Sequence, residues 1–312
     1  MSRHDIRELV IISGKGGTGK TSLTAAFASL AGRVVLADCD VDAADLHLLL
    51  HPEPEEHYEF RSGHQAVIRQ EDCTRCGDCY ERCRFEGIRR EDTGADVRYT
   101  VDPLSCEGCG VCVDWCPAAA IDFPECTAGE WYVSSTPCGP MVHAKLGIAA
   151  ENSGKLVSTV RRAARDRAEK EGIAKLIIDG PPGIGCPVIA SITGTSLALI
   201  ITEPTLSGQH DLVRVARLAK HFNVPVAVCV NKWDINSELT ESIEAVALSM
   251  GARPVGRIGY DRRMTEAQVA GKTVLDYGGA AAEAIREIWC RVASMLDGTV
   301  PDAGAAESGN GG

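Results

Sequence analysis

Short, unbroken apolar runs alternate along the chain with longer stretches of mixed polarity. The first run, Leu9-Val-Ile-Ile-Ser13, leads into the glycine-rich turn Gly14-Lys-Gly-Gly-Thr-Gly19, and a helix-compatible stretch follows over residues 20–30. Similar runs recur at residues 34–37, 176–178, 197–201 and 226–230, with helical patterns at 212–221 and 238–250. Runs that do not alternate with polar residues suit strands covered on both faces, and strands alternating with helices predict an α/β fold with a doubly wound, mostly parallel sheet. From about residue 61 to 125 this rhythm stops: apolar runs give way to cysteines in a Lys-free, acidic segment. The pattern predicts a first α/β part over 1–60, an insertion over 61–125, a second α/β part over 126–300, and a Gly/Ala/Ser-rich disordered tail over 301–312. Residues 126–155 carry little signal beyond Trp131-Tyr-Val133, read as a strand returning to the α/β domain.

Residues Gly14, Lys15, Gly16, Gly17, Thr18, Gly19, Lys20 and Thr21 satisfy the P-loop pattern between a strand and a helix, the setting that gives the motif its meaning. Glycines let backbone N–H groups close around phosphate oxygens, and the helix N-terminus adds partial positive charge. Lys20 is expected to reach the β- and γ-phosphates, Thr21 to ligate Mg²⁺, and Ser22 to complete the phosphate-binding set. Carboxylates cluster nearby in Asp38-Cys-Asp-Val-Asp42, where they can hold Mg²⁺ or orient water, and Asp179 ends a later apolar run.

The second lysine of the loop, Lys15, is not required by an ordinary P-loop. With it, Lys-Gly-Gly-Thr-Gly-Lys-Thr resembles the deviant motif of the MinD/ParA class, which includes the nitrogenase iron protein. The resemblance implies a nucleotide-dependent homodimer in which Lys15 reaches the partner's nucleotide. It also implies that Asp40 orients the attacking water, with Asp38 the second candidate; Asp42 is expected as a helix cap, a position that Asp favours. Lys175-Leu-Ile-Ile-Asp-Gly-Pro-Pro-Gly183 resembles the class's Walker B and switch II segment, with Asp179 near Mg²⁺ and residues 180–183, ending in Gly183, sensing the γ-phosphate. Asn231-Lys-Trp-Asp234 fits the letters with which GTPases read guanine, whereas the MinD-like class places the Asn on adenine. Asn231 and Lys232 are therefore expected at the base, with ATP the expected nucleotide and GTP the alternative.

The chain has 14 cysteines, and eight fall in two runs, Cys73-x-x-Cys76-x-x-Cys79-x-x-x-Cys83 and Cys106-x-x-Cys109-x-x-Cys112-x-x-x-Cys116-Pro117. This is the spacing of bacterial two-cluster ferredoxins, in which the fourth cysteine of each run ligates the other cluster. Two 4Fe-4S clusters are expected, one on Cys73, Cys76, Cys79 and Cys116, the other on Cys106, Cys109, Cys112 and Cys83. Zinc on Cys-x-x-Cys pairs is the competing reading, although zinc needs no third cysteine two residues on. Arg84 replaces the proline expected after Cys83. Cys39, Cys229 and Cys290 are expected to be packed thiols. Cys126 and Cys138, with His143, are held open as a further redox or metal group in an unassigned loop.

Composition narrows the function. The 312 residues are 45% hydrophobic and 24% charged with a net charge of −11, which suits a globular chain and disfavours nucleic acid. No apolar stretch is long enough to span a bilayer and the first residues are polar, so a cytoplasmic protein without stable membrane insertion is expected. The whole layout resembles MinD-superfamily ATPases containing an inserted ferredoxin domain. That implies an ATP-hydrolysing iron–sulfur protein that couples nucleotide-driven motion to electron transfer with an unidentified redox partner. The alternatives are a cluster carrier of the Mrp-like branch, a MinD/ParA-like spatial organiser, and an amidotransferase of the cobyrinic acid synthase type. Past Met250 only Cys290 is found, where the carrier branch has a Cys-x-x-Cys pair, and Asp302-Ala-Gly-Ala-Ala-Glu-Ser-Gly is not an amphipathic anchor.

Overall fold

The computed structural model describes residues 6–92, 94, 96–147 and 153–299, so the expected tail lies outside the described residues. The chain divides into two compact units, one of Met1–His57, Trp131–Lys145 and Ser153–Gly312, the other of Tyr58–Glu130 and Leu146–Asn152.

The first unit begins with β1 (Arg7–Ser13), α1 (Lys20–Ala31), β2 (Val35–Asp38) and α2 (Leu46–Leu50), and β3 (Glu53–His64) starts in it and runs on into the second. The chain leaves this unit along β3. The second unit contains β4 (Val67–Ile68), α3 (Asp78–Arg82), β5 (Ile88–Asp92), β6 (Val97–Val101), α4 (Val111–Asp114) and β7 (Ile121–Asp122). The chain returns along β8 (Glu125–Thr136) and turns at Pro137-Cys138 into β9 (Gly139–Leu146). The rest of the first unit is α5 (Ser153–Glu171), β10 (Lys175–Pro182), α6 (Cys186–Ile192), β11 (Leu197–Thr202), α7 (Leu206–His221), β12 (Val226–Asn231), α8 (Ser237–Ser249), β13 (Arg253–Ile258), α9 (Arg262–Val269) and α10 (Ala280–Leu296).

The large sheet has the order β13-β12-β11-β1-β10-β2-β9-β8-β3, and the neighbouring strands from β13 to β9 all pair in parallel. The strands β1, β2, β10, β11 and β12 are buried along most of their length, as their unbroken apolar runs predict. Alternate residues feed opposite faces. Leu9, Ile11, Leu36, Ile177, Leu199 and Cys229 join α1 and α10 in one core, where the Phe27 and Trp289 rings meet at a tilt with centroids 5.0 Å apart. A fully buried parallel sheet presents its functional loops at the strands' C-terminal ends.

Several elements depart from the sequence reading. Residues 126–155 are not a loop: they include most of β8, all of β9 and the start of α5. Cys126 therefore lies on a strand, and Cys138 in the two-residue turn of the hairpin. The helix expected over 212–221 begins at Leu206, because the Thr205 side chain caps it by accepting the Gly208 N–H at 2.9 Å. Strand β3, Glu-Pro-Glu-Glu-His-Tyr-Glu-Phe-Arg-Ser-Gly-His, gives no apolar signal since it is an edge strand, and charges protect an open edge from further pairing. Asp42 is not the cap of α2; that position is Asp45, while the distant Asp38 carboxylate accepts the Leu46 N–H at 3.3 Å. Cys39 and Cys229 are buried as expected, but Cys290 is exposed, on the outer side of α10.

Candidate functional site

The loop between β1 and α1 is shaped for an anion. Gly19 stands at the N-cap of α1 with φ 93°, a conformation that leaves the helix's first N–H groups open. Gly14 is required by packing, since a Cβ there would lie 2.1 Å from the Asp211 Cβ. Gly16 and Gly17 line the cavity in front of the loop with Gly19, Lys20, Thr21 and Ser22. Lys20 is only 5% exposed, and its ammonium meets the Asp40 carboxylate at 3.6 Å. A buried cation whose ion-pair partner is beyond ordinary hydrogen-bond reach suits a phosphate group. The Thr18 hydroxyl, in the same loop, is buried and without a hydrogen-bond partner among the described residues.

Asp179 lies within the buried part of β10. Its oxygens accept the Thr21 hydroxyl at 2.8 Å and the Thr24 hydroxyl at 3.0 Å. Burial pushes its carboxyl above the ordinary range, against the pull of Lys20 and the two hydroxyls. Such a carboxylate gains from a bound cation, so Thr21 and Asp179 fit Mg²⁺. Asp38 is also fully buried, and burial followed by the neighbouring Asp179 raises its carboxyl strongly. Both Asp38 oxygens are engaged by backbone, one with the Asp40 N–H at 3.2 Å and the other with Leu46, so Asp38 shapes the loop that presents Asp40. Asp40, Asp42 and Asp45 all line the phosphate cavity. At the switch segment the Gly183 N–H donates to the Ser13 carbonyl at 2.9 Å, which ties it to β1.

Two residues with no motif signal enter this site. Glu203 follows β11 and holds Lys15 at 3.5 Å and Lys232 at 2.7 Å, so both lysines share one half-buried carboxylate. Its position at the C-terminal end of a buried strand was the available clue, the same clue that marks Asp179. Gln268 on α9 lines the phosphate cavity opposite Asp40 and Asp42, and nothing in its sequence neighbourhood marks it. On the far side of the loop Asn231 is buried and its amide donates to the Thr18 carbonyl at 2.8 Å.

In the second unit the eight cysteines of the two runs separate into two groups. Cys73, Cys76 and Cys79 line a narrow cavity with Cys116 from the other run. Cys106, Cys109 and Cys112 line a wider cavity, of about 470 Å³, with Cys83. The backbone repeats at matched positions: φ is 60° at Arg75 and 61° at Gly108, 86° at Gly77 and 77° at Gly110, 54° at Glu86 and 47° at Ala119. Left-handed residues that are not glycine cost on the order of 1 kcal/mol, so their recurrence at equivalent points marks one loop built twice for a purpose. The crossing cysteines are matched too. The Gly87 N–H points at the Cys83 sulfur and the Ala120 N–H at the Cys116 sulfur, both at 3.3 Å. Arg82, just before Cys83, stacks over Trp115, just before Cys116, at 4.0 Å and ties α3 to α4. Among the described residues, no three His, Cys, Asp or Glu side chains converge closely enough to hold a single metal ion.

The remaining candidates separate. Cys126 on β8 lies in the second unit, whereas Cys138 packs at the edge of the first unit's core beside the Ser29 hydroxyl. His143 bonds the Ser134 hydroxyl at 2.8 Å and stacks on Tyr132, and burial pushes its pKa down to about 4. These contacts are those of packed residues, and they do not bring the three together as one group. No helix among the described residues is long and apolar enough to cross a membrane.

Known proteins resemble this chain in sequence or in fold. The uncharacterized protein MJ0578 of Methanocaldococcus jannaschii is 33% identical over 237 residues, covering 74% of this chain and 80% of the relative. The cell division ATPase MinD of Pyrococcus furiosus aligns with 93% of this chain and 99% of its own, at 17% identity and a TM-score of 0.55. MinD of Pyrococcus horikoshii, solved with Mg-ADP, aligns with 92% of this chain and 96% of its own, at 17% identity and a TM-score of 0.56. These likenesses to solved structures extend to the fold. Residues 9–274 match the CobQ/CobB/MinD/ParA nucleotide binding domain, and with the phosphate loop, its carboxylates and the parallel sheet in place, the chain belongs to that family of MinD/ParA-type P-loop ATPases.

Proposed function

We propose that this protein is a Mg-ATP-hydrolysing redox protein whose second unit is a ferredoxin-like domain holding two 4Fe-4S clusters. The observation that carries this reading is the partition of eight cysteines into two cavities, each with three sulfurs from one run and one from the other. That exchange is the ligand pattern of a two-cluster ferredoxin. Four sulfurs spread around a cavity suit a polynuclear group better than one zinc ion, whose ligands lie within about 2.3 Å of the metal. The backbone N–H groups of Gly87 and Ala120 favour thiolate at the crossing cysteines. Burial pushes the Cys79 thiol up to about 11, so it takes a bound metal to hold that sulfur deprotonated. When bound, the clusters supply one-electron transfer.

In the first unit, Lys20 and the open N–H groups of α1 hold the phosphates, Thr21 and Asp179 hold Mg²⁺, and Asp40 orients the attacking water. Lys15 leaves Glu203 to act across a homodimer. Coupling has a covalent route. The chain passes from the Asp38–Asp40 loop through α2 and β3 into the cysteine unit, and it comes back through β8 to β9, which pairs with β2. Both connections therefore meet the strand that presents the catalytic carboxylates. A ligand shifts such an equilibrium only through different affinities for the two states.

The test is anaerobic purification followed by reduction potentials of both clusters, without nucleotide, with Mg-ADP, and with a non-hydrolysable ATP analogue. A nucleotide-dependent shift of about 60 mV in a one-electron couple equals roughly 1.4 kcal/mol of coupling and supports the reading. Metal analysis showing zinc without iron or labile sulfide rejects it.

A further inference from the structure

The cysteine loop is built twice, and the two copies differ at a few positions. Matched left-handed residues and matched N–H contacts to sulfur align Cys83-Arg84-Phe85-Glu86-Gly87 with Cys116-Pro117-Ala118-Ala119-Ala120. Each turn gives its crossing sulfur a backbone N–H at 3.3 Å, so hydrogen bonding at the crossing cysteines does not distinguish the two sites. Their floors match as well, with Ile88 and Ile121 buried at equivalent positions. The rims are where the copies part.

Where the second turn has Pro117 and Ala118, the first has Arg84 and Phe85, and both of these line the wide cavity. Phe85 is 48% exposed and Val111, also lining this cavity, 42%, so the large side chains at this mouth stand in solvent instead of folding over the cysteines. The narrow cavity is lined instead by Pro117 and by Ile68 and Tyr99, both buried against the cysteines. Charge differs in the same direction. At the wide rim Glu81 and Glu107 are offset by Arg82 and Arg84, whereas at the narrow one Asp78 has no Lys or Arg beside it among the lining residues.

A cluster that takes up an electron becomes more negative. Water and a charge-balanced rim favour that state more than apolar walls and a carboxylate do, and solvent exposure is one of the factors that set cluster potentials. Electron exchange also weakens steeply with distance, which puts the site behind the open mouth within reach of an outside carrier. We propose that Arg84 and Phe85 make the site of Cys106, Cys109, Cys112 and Cys83 the electron port of the second unit, with the higher potential of the two. One electron crosses there at a time: the cluster gains what a one-electron carrier protein loses, or the reverse, and no bond forms or breaks. The inference rests on the iron–sulfur reading and is independent of the nucleotide site.

The experiment is electron paramagnetic resonance of the full-length protein, purified without oxygen and reduced with dithionite to about one electron per chain. The half-reduced wild type is expected to show the signal of Cys73→Ala with Cys116→Ala, a variant that keeps all four cysteines of the wide cavity. The electron should favour that site by about tenfold, which equals about 59 mV in a one-electron couple. A soluble chromium(III) oxalate complex, which speeds the relaxation of exposed paramagnetic centres, should act several-fold more strongly on that signal than on the other. Arg84→Pro with Phe85→Ala gives the first turn the side chains of the second. Cys83 already has φ −72° and ψ 110°, the extended conformation that a residue before proline prefers. In this variant the electron should spread over both sites and the chromium effects should become equal, with iron per chain unchanged. An electron shared equally in the half-reduced wild type, or resting at the narrow site, overturns the proposal. So do equal chromium effects on the two wild-type signals, a result that depends on no variant folding, and so does an unchanged preference in an iron-replete Arg84→Pro with Phe85→Ala. Protein without iron rejects the iron–sulfur reading itself, and the inference with it.

Discussion

Cysteine pairs can be removed so that the partition between the two cavities decides the outcome. Cys73→Ala with Cys116→Ala takes two of the four sulfurs from the narrow cavity and none from the wide one. Cys73→Ala with Cys83→Ala takes one sulfur from each. With two clusters the intact chain carries about eight iron atoms and as many labile sulfides. The first variant is expected to retain about four of each, as one cluster with an unaltered paramagnetic signal when reduced. The second is expected to disturb both signals and to lose iron from both sites, since each keeps only three thiolates. The assay is iron and acid-labile sulfide per chain after anaerobic purification, with electron paramagnetic resonance of the reduced protein. If Cys73→Ala with Cys83→Ala kept one cluster untouched while Cys73→Ala with Cys116→Ala damaged both, each run would wrap its own cluster. The cavity assignment would then be wrong.

Other consequences are separable from the clusters. Lys20→Ala removes the buried cation from the phosphate cavity and should weaken nucleotide binding by roughly 10- to 100-fold in calorimetry, whereas Lys15→Ala should retain nucleotide affinity and abolish nucleotide-dependent dimerisation in sedimentation. Equal affinity loss in both variants would refute separate roles for the two lysines. Glu8 is 2% exposed and holds Arg161 at 2.6 Å and Arg165 at 3.0 Å; Glu8→Ala leaves Arg161 without its buried partner and should cost about 3 kcal/mol in urea unfolding. A loss below about 1 kcal/mol would show that water or the Ala190 and Thr193 carbonyls replace the carboxylate. His143 stays neutral in the fold down to about pH 4, while the unfolded chain takes up the proton at its ordinary value of 6.5. Between those values the unfolded state binds more protons, so stability should fall as pH drops through that window, and His143→Gln should remove this part of the slope. Denaturation midpoints measured across the window check it, and an unchanged slope in the variant would place the titration elsewhere.

The parallel sheet was legible because strands buried on both faces must be apolar throughout, as at Leu9 to Ile12 and Val226 to Val230. Strand β3 and the β8–β9 hairpin were not, because edge and half-covered strands carry charge and polar alternation that local patterns share with loops. At the nucleotide site, the phosphate loop and Asp179 were readable because each motif is local and follows or closes an apolar run. The structure then gave Asp38 and Asp40 different surroundings, which adjacent letters cannot do. Asp38 is spent on two backbone N–H groups, and Asp40 borders the cavity with Lys20.

The sequence by itself determined the spacing of groups that act within one turn or loop: the P-loop, the two cysteine runs, and the buried strands. Only the tertiary structure decided which distant groups meet. Glu203 joins Lys15 to Lys232, Asp234 meets the loop after β13, and Cys83 and Cys116 are each found in the other run's cavity. The reason is physical. Local geometry is fixed by backbone dihedrals over a few residues, whereas these meetings depend on strand order and chain crossings, which a sheet sets over more than a hundred residues at once.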